Sequence, residues 1–217
     1  MSSLVVIAQI PTAGGEAKKT VFNLLSKISE AVKANEPDAY RYAITEPRQG
    51  DDKAIWMVEE FKDQAAYDSH LASEPIVNLY KFIGENPALI SGTPNIIIAE
   101  ASSAFTRPEV TNSTDPFIVF AAINYKEGKR AEALEGWKTV TSETKKNEPE
   151  TLSYYILKDR ANELTVNTLE IYASEDYFRK VHMPSEAVKA NKEKYGDEFR
   201  TGLSFQQLKF IGGFLHK

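Results

Sequence analysis

The tripeptide Asn35-Glu36-Pro37 recurs 112 residues later as Asn147-Glu148-Pro149. At the same offset the apolar run Val5 to Ile10 falls on residues 117–122, without a gap. A tripeptide match is weak by itself, but a strand-like run in the same register makes chance unlikely as the explanation. The sequence therefore predicts an internal repeat, and such repeats decide the fold before any other signal does.

Helical periodicity and a histidine support the same repeat. Glu59 matches Glu170 at an offset of 111, and a one-residue adjustment brings His70 onto His182 at 112. Apolar residues at three-to-four-residue spacing mark one helix in each copy. These residues are Phe22, Leu25, Ile28 and Val32 in the first copy and Leu134, Trp137, Val140 and Thr144 in the second.

Each copy has the order strand, helix, strand, strand, helix, strand, which is the ferredoxin-like split βαβ pattern. Polar turns, Arg48 to Asp52 and Lys158 to Asn162, separate the middle strands of the two copies. Such a unit has helices on one face of an antiparallel sheet and leaves the other face apolar. We predict an α+β chain in which two tandem ferredoxin-like units cover these faces mutually and form one intramolecular barrel.

The boundary between the copies is predicted from composition. Residues 105–116 contain Pro108 and Pro116 among Asn, Ser, Thr and Asp, a mixture that disfavours both helix and strand. The predicted organisation is a first domain at 1–104, a linker at 105–116 and a second domain at 117–217.

Composition excludes several classes of function. The formal net charge of the 217 residues is −5, whereas proteins that bind a phosphate backbone concentrate Lys and Arg, so no nucleic-acid partner is expected. The chain has no cysteine, which excludes disulfides and thiolate metal sites. Its three histidines lack a recognisable transition-metal spacing, and no metal site is predicted.

The apolar run near the amino end, Leu4 to Ile10, is stopped by Pro11 and has no basic flank. It is interpreted as a buried strand rather than a signal peptide. No stretch approaches the roughly 18 apolar residues that span a bilayer. We expect a cytoplasmic protein without a membrane partner.

Three short motifs carry a resemblance to a known family. They are the Asn-Glu-Pro before a Tyr-containing strand, the Glu-x-[Phe/Tyr] that ends the third strand, and the helix Asp63 to Ser73 with its His70. Together they resemble the antibiotic biosynthesis monooxygenase (ABM) domain of the dimeric α/β barrel superfamily. The tandem arrangement is similar to that of the fungal two-domain members.

This resemblance implies an oxygenase that uses no metal, flavin or other cofactor. Such members oxidise anthrones, quinols and similar electron-rich molecules, so the implied partners are a small hydrophobic or aromatic molecule and O2. Two alternatives remain open: a non-catalytic barrel that binds a hydrophobic ligand or responds to stress, and a haem-binding or haem-degrading protein. A monomer with pseudo-twofold symmetry and a homodimer are both compatible with the repeat.

The candidate catalytic residues are a histidine in each copy and the tyrosine of the second strand. A neutral imidazole is a suitable base, although each histidine could instead only pack on its helix. Tyr40 and Tyr42 are expected to point in the same direction, and the candidate carboxylates are Glu59 and Glu170. The predicted catalytic set is His70, His182, Tyr42 and Tyr154. The predicted substrate-binding set is Tyr40, Met57, Glu59, Phe61, Tyr67, Asn167, Thr168, Glu170 and Tyr172.

The two copies are not expected to have equivalent cavities. Trp137 replaces Leu25, and Asn167 replaces Trp56. One copy could therefore bind the substrate while the other serves as a scaffold, and the sequence leaves open which copy does so.

Overall fold

A computed structural model of the chain describes residues 3–50 and 53–217. Asp51 and Asp52, which belong to the predicted first turn, lie outside the described residues. The chain divides into two compact units: residues 1–98 together with 210–217, and residues 99–209.

The first unit is built on an antiparallel sheet in which β3 (Ala54–Phe61) lies between β1 (Leu4–Pro11) and β2 (Ala39–Pro47). Its first helix buries one stripe, with Val21, Leu25, Ile28 and Val32 packed into the apolar core. The elements are β1 (Leu4–Pro11), α1 (Gly15–Asn35), β2 (Ala39–Pro47), β3 (Ala54–Phe61), α2 (Gln64–Leu71), α3 (Glu74–Glu85), a 3-10 turn (Pro87–Leu89) and the start of β4 (Asn95–Thr106).

The second unit repeats this order. Its sheet has β7 (Thr165–Tyr172) paired with β5 (Phe117–Tyr125) on one side and β6 (Thr151–Asp159) on the other. Residues 200–209 of the last strand pair with β5, and residues 99–106 of β4 pair with β6. The elements are β5 (Phe117–Tyr125), α4 (Arg130–Asn147), β6 (Thr151–Asp159), β7 (Thr165–Tyr172), α5 (Glu175–Tyr177), a π-helical turn (Phe178–His182), α6 (Glu186–Tyr195) and β8 (Arg200–Phe214).

The eight strands are hydrogen-bonded in the order β1-β3-β2-β8-β5-β7-β6-β4, and this order closes into a barrel. The predicted fold class, α+β with two tandem ferredoxin-like units, is confirmed.

The predicted register of the first strand in the second copy is wrong by one residue. Leu4 pairs with Phe61 and Phe117 pairs with Tyr172, and since Phe61 and Tyr172 correspond, Leu4 corresponds to Phe117. A one-residue slip exchanges the two faces of a strand. Leu25 of the first helix lies 21 positions after Leu4, whereas Trp137 lies 20 positions after Phe117, so the offset of 112 found in the helix becomes 113 in the strand.

The segment 105–116, predicted as a linker, begins with two residues of β4. Phe105 and Thr106 pair with Tyr154 and Ser153 of β6. Residues Pro108–Asn112 then form a 3-10 turn. Among the described residues, no helix is both long and apolar enough to cross a membrane.

The change of offset from 111 to 112 has a visible structural cause. Asp63 caps α2 seven residues before His70, whereas Ser174 caps α5 eight residues before His182. The extra residue is absorbed by the π-helical turn, in which the amide of Met183 donates to the carbonyl of Phe178. The two histidines consequently take corresponding places in spite of the insertion.

Candidate functional site

The first unit contains a cavity of about 720 Å³, a volume suited to a small organic molecule. Its wall is formed mainly by aliphatic side chains of β1, α1 and α3, among them Val6, Ala8, Val21, Leu25, Leu79 and Ile83. Apolar walls exclude water and favour an apolar ligand. The cavity lies entirely within the first unit, since its lining residues fall between Val6 and Ile96.

Five titratable side chains also line the cavity. They come from four elements: Tyr42 from β2, Glu59 from β3, Tyr67 and His70 from α2, and Tyr80 from α3. Because β2 and β3 are paired with Tyr42 opposite Glu59, the phenol and the carboxyl group are held next to each other on the sheet. The cavity therefore combines an apolar body with a group of acid–base side chains, which we call the polar corner.

His70 lies between two carboxyl groups. Its Nδ1 is 2.8 Å from Oε2 of Glu36, and its Nε2 is 3.7 Å from Oε2 of Glu59. The imidazole is 2% exposed and packs against the rings of Phe61 and Tyr42. The 2.8 Å contact with a carboxyl oxygen fits the tautomer that carries its proton on Nδ1, and Nε2 is directed toward Glu59.

Glu36 occupies this place because α1 ends there. It is the C-cap residue of α1, with its amide donating to the carbonyl of Val32, and Pro37 prevents the helix from continuing. Asp63 accepts a hydrogen bond from the amide of Ala66 at 3.0 Å and fixes the start of α2, from which His70 projects. The two partners are thus held by backbone features of separate elements.

Glu59 is the group in the polar corner whose acidity is most useful for chemistry. Burial raises the pKa of Glu59 from 4.5 to about 7; the nearby His70 lowers it and Glu36 raises it. Its side chain is 12% exposed. A carboxyl group with this pKa gains and loses a proton close to neutral pH, which suits a general base.

The tyrosines of the polar corner keep their protons at neutral pH and are therefore available as hydrogen-bond donors. Burial, followed by the proximity of Glu59, raises the pKa of Tyr42 well above 10 and that of Tyr67 to about 12. The same two causes raise the pKa of Tyr80. Protonated phenols beside a carboxyl group can stabilise an oxygen that acquires negative charge in the cavity.

The second unit repeats the histidine and carboxylate pair. Nδ1 of His182 is 2.8 Å from Oε2 of Glu148. Burial opposes ionisation of Glu148, yet hydrogen bonds from His182, Thr151 and Thr144 bring its pKa below the ordinary value. The other carboxylate differs from its counterpart, because the hydroxyl of Tyr172 donates to Glu170 at 2.7 Å.

Large side chains in the second unit occupy positions whose counterparts line the cavity of the first. Trp137 replaces Leu25 and Tyr195 replaces Ile83, and both are buried. The indole nitrogen of Trp137 donates to the hydroxyl of Tyr125 at 2.9 Å. Gly136 allows α6 to approach α4, since a Cβ at this residue would collide with the ring of Tyr195. The polar groups of the second unit therefore lie beside packed aromatic rings, whereas those of the first unit lie beside an apolar cavity.

The structure brings five of the predicted residues of the first copy together at the cavity. These are Tyr42, Met57, Glu59, Tyr67 and His70. Phe61 lies behind them, packed on Tyr67 and His70.

Tyr40 is separate from the cavity. The prediction that Tyr40 and Tyr42 point in the same direction is wrong because a β-bulge between Ala39 and Arg41 interrupts the alternation. The ring of Tyr40 lies instead beside His216.

Most of the predicted residues of the second copy also form a group. Tyr154 and Tyr172 pack on His182, and Tyr172 is bonded to Glu170. Thr168 lies on the same face of β7 as Glu170. Asn167 points to the opposite face, where its amide donates to Asp159 at 3.2 Å.

Two polar residues of the site, Glu36 and Tyr80, were not among the residues predicted from the sequence. Glu36 stands in the repeated Asn-Glu-Pro tripeptide, and its repetition as Glu148 was a signal of a shared role. Tyr80 belongs to α3, which also contributes Leu79 and Ile83 to the cavity wall. In the sequence this side of α3 has the pattern of an ordinary apolar helix face.

Comparisons with known proteins agree with the fold. The family profile described as antibiotic biosynthesis monooxygenase matches residues 3–79 and 116–194. No curated protein matches the chain.

Several solved structures are similar over the full length. A Fusobacterium nucleatum protein, provisionally described as a monooxygenase, has a TM-score of 0.83 at 18% identity, covering 100% of this chain and 97% of its own. A protein of the same description from Lactobacillus acidophilus has a TM-score of 0.80 at 12% identity, with 100% of both chains covered. An anthrone oxidase-like protein has a TM-score of 0.63 at 14% identity, covering 96% and 91%.

Proposed function

The chain belongs to the antibiotic biosynthesis monooxygenase family, and we propose that its first unit oxidises a small apolar aromatic or polyketide-like molecule, of the anthrone or quinol type, with O2 and without metal or flavin. The observation that supports this most directly is the polar corner. A buried carboxyl group, Glu59, with a pKa of about 7 lies in the wall of an otherwise largely apolar cavity of about 720 Å³.

The proposed chemistry begins with removal of a proton. Ground-state O2 has two unpaired electrons and reacts slowly with closed-shell molecules, whereas a delocalised carbanion or phenolate can transfer one electron to it. The carboxylate of Glu59 takes an acidic C–H proton from the substrate, and the electron pair of that bond remains on the substrate. An apolar chamber assists this step because it keeps competing water away from the anion.

The later steps conserve atoms and electrons. The anion gives one electron to O2, and the resulting substrate radical and superoxide combine through a new C–O bond. The peroxide anion regains the proton that Glu59 had accepted. Loss of the second C–H proton with cleavage of the O–O bond then leaves a carbonyl group and one molecule of water. The protein returns to its starting protonation state, so the reaction needs no external reductant.

The tyrosines complete the proposed roles. Tyr42, Tyr67 and Tyr80 remain protonated at neutral pH and are available to donate to the substrate oxygen on which the negative charge is delocalised. The aliphatic side chains of α1 and α3 hold the apolar rings. These roles assign substrate recognition to the wall and proton transfer to the polar corner.

The test is oxygen uptake with a panel of anthrones and hydroquinones. Glu59→Gln is expected to lower kcat by about 100-fold or more, the usual contribution of a general base. The matched variant Glu170→Gln changes the corresponding residue of the second unit and should keep activity within about twofold of the unmodified protein.

Two results would contradict the proposal. Equal losses in Glu59→Gln and Glu170→Gln would indicate a structural effect rather than loss of the base. Saturable binding of the same compounds, measured by fluorescence, without oxygen uptake above buffer would favour the alternative of a non-catalytic hydrophobic-ligand-binding protein.

A further inference from the structure

Both units pair a buried histidine with a carboxylate, yet only one pair adjoins the cavity. The distance from Nδ1 to the carboxylate oxygen is 2.8 Å for His70 with Glu36 and 2.8 Å for His182 with Glu148. In the first unit, Nε2 on the other side of the imidazole faces Glu59 at 3.7 Å. The two units therefore share the histidine–carboxylate contact, and in the first unit the imidazole also lies close to a second carboxyl group, that of Glu59.

In the part of the chain that the structure describes, only the histidine of the first unit lies within ion-pair distance of a second carboxylate. In the second unit the hydroxyl of Tyr172 donates to Glu170 at 2.7 Å. The corresponding residue of the first unit is Phe61, which has no hydroxyl. Glu59 thus lacks the aromatic donor that engages Glu170.

We propose that Glu36 is a positioning residue, which holds Nδ1–H of His70 so that Nε2 faces Glu59 and receives the proton that Glu59 removes from the substrate. Glu36 is far enough from the cavity to make no contact with its contents, since it does not belong to the lining residues. It acts through the imidazole, as the third member of a hydrogen-bonded series does in other acid–base sites. This inference rests on the proposed function.

The charges favour a proton on His70 while the substrate anion exists. Transfer from the carboxyl group of Glu59 to Nε2 makes an imidazolium between two carboxylates, with Glu36 in hydrogen-bond contact at 2.8 Å and Glu59 in ion-pair contact at 3.7 Å. The other titratable groups of the polar corner are Tyr42 on β2, Tyr67 on α2 and Tyr80 on α3, and all three are neutral at neutral pH. When the peroxide anion forms, the proton returns through Glu59, and the original tautomer is restored.

Replacement of Glu36 tests the proposal directly. Glu36→Leu removes the acceptor, and Glu36→Gln keeps an oxygen acceptor without the charge. Glu148→Leu makes the same change beside His182 and serves as the matched control. Three readouts are needed: kcat and KM for oxygen uptake, the tautomer of His70 by 15N NMR of the imidazole, and thermal unfolding of each variant.

We expect kcat to fall by about 100-fold in Glu36→Leu and by about tenfold in Glu36→Gln, within the range of acid–base catalysis. KM should stay within about twofold, because Glu36 does not line the cavity. The 15N spectrum should show Nδ1–H in the unmodified protein and in Glu36→Gln, and a mixture of tautomers in Glu36→Leu. Glu148→Leu should leave kcat unchanged while lowering the unfolding temperature as Glu36→Leu does.

A probe that is not turned over separates this inference from the proposed function. 4-Nitrophenol bound in the cavity becomes yellow when it transfers its phenolic proton, so absorbance reports the transfer without any oxidation. We expect the bound probe to be more ionised in the unmodified protein than in Glu36→Leu at the same pH.

The failures can be told apart. If no compound raises oxygen uptake but the probe and the tautomer change in Glu36→Leu as expected, the proposed function fails and the positioning role stands. If kcat, tautomer and probe ionisation are the same in Glu36→Leu as in the unmodified protein, or change equally in Glu148→Leu, the positioning role is overturned.

Discussion

Phe61→Tyr should convert the environment of Glu59 into that of Glu170. The two aromatic residues correspond, and each follows its glutamate by two residues on the same face of a strand. In the second unit the Tyr172 hydroxyl donates to Glu170 at 2.7 Å. A hydroxyl added to Phe61 is therefore expected to donate to the carboxylate of Glu59.

The size of the effect follows from the energy of such a bond. A hydrogen bond to a charged group contributes about 1.5–3 kcal/mol, and about 1.4 kcal/mol corresponds to one pH unit. The pKa of Glu59, now about 7 because of burial, should therefore fall by about 1 to 2 units, to about 5 to 6. A base of lower pKa is ionised at lower pH but accepts a proton less readily.

The measurement is the pH dependence of kcat/KM for oxygen uptake, with the carboxyl group titrated in parallel by 13C NMR. The acid limb should move from near pH 7 in the unmodified protein to about pH 5 to 6 in Phe61→Tyr, with a lower plateau. Tyr172→Phe, the reverse change in the second unit, should leave the limb in place. An acid limb that stays near pH 7 in a folded Phe61→Tyr variant would refute the assignment of Glu59 as the base.

Three further predictions concern stability and binding. Because the folded-state pKa of Glu59 (about 7) lies above its ordinary value of 4.5, its contribution to stability is fully present below pH 4.5 and is lost as pH rises through 7. Glu59→Gln should therefore gain up to about 3 kcal/mol in unfolding free energy, relative to the unmodified protein, between pH 4 and pH 8 in urea titrations; a pH-independent difference would contradict the shifted pKa. Leu25→Trp, which copies Trp137 into the cavity wall, should weaken the binding of a fluorescent naphthol at least about tenfold, while Leu25→Met binds normally; unchanged affinity would place the ligand elsewhere. Gly213→Ala should lower the unfolding free energy by about 2 kcal/mol or more in chemical denaturation, because Gly213 has a φ of 85° and a Cβ there would collide with the carbonyl of Tyr42; wild-type stability would show that the backbone relaxes.

The fold could be predicted from the sequence because the internal repeat is supported by several independent matches along the chain. The offset that pairs the two Asn-Glu-Pro tripeptides also pairs His70 with His182, so the order of elements and the two histidines could be placed without knowing any contact. Local irregularities could not be placed in the same way. The slip of β5 and the bulge at Tyr40 each involve one residue, and periodicity alone does not locate a single extra residue in an apolar run.

The cavity was less predictable than the residues around it. Leu25 and Trp137 occupy the same helical stripe, and both patterns indicate a buried helix face. Whether such a face encloses empty space depends on how closely a second helix packs on it. That distance depends on residues such as Gly136 and Tyr195. They are far apart in the sequence, and nothing in the sequence indicates that they are in contact.

The π-helical turn at Phe178–His182 lets one copy of the repeat contain an additional residue while its histidine keeps the corresponding place. One inserted residue in a regular α-helix would rotate everything beyond it by about 100° and carry His182 away from Glu148. The wider π-helical turn accommodates the additional residue locally. The helix that follows therefore starts at the same position relative to His182 as the corresponding helix does relative to His70. Deleting Val181 should accordingly produce an ordinary helix of the length found in the first copy, with the imidazole still bonded to its carboxylate.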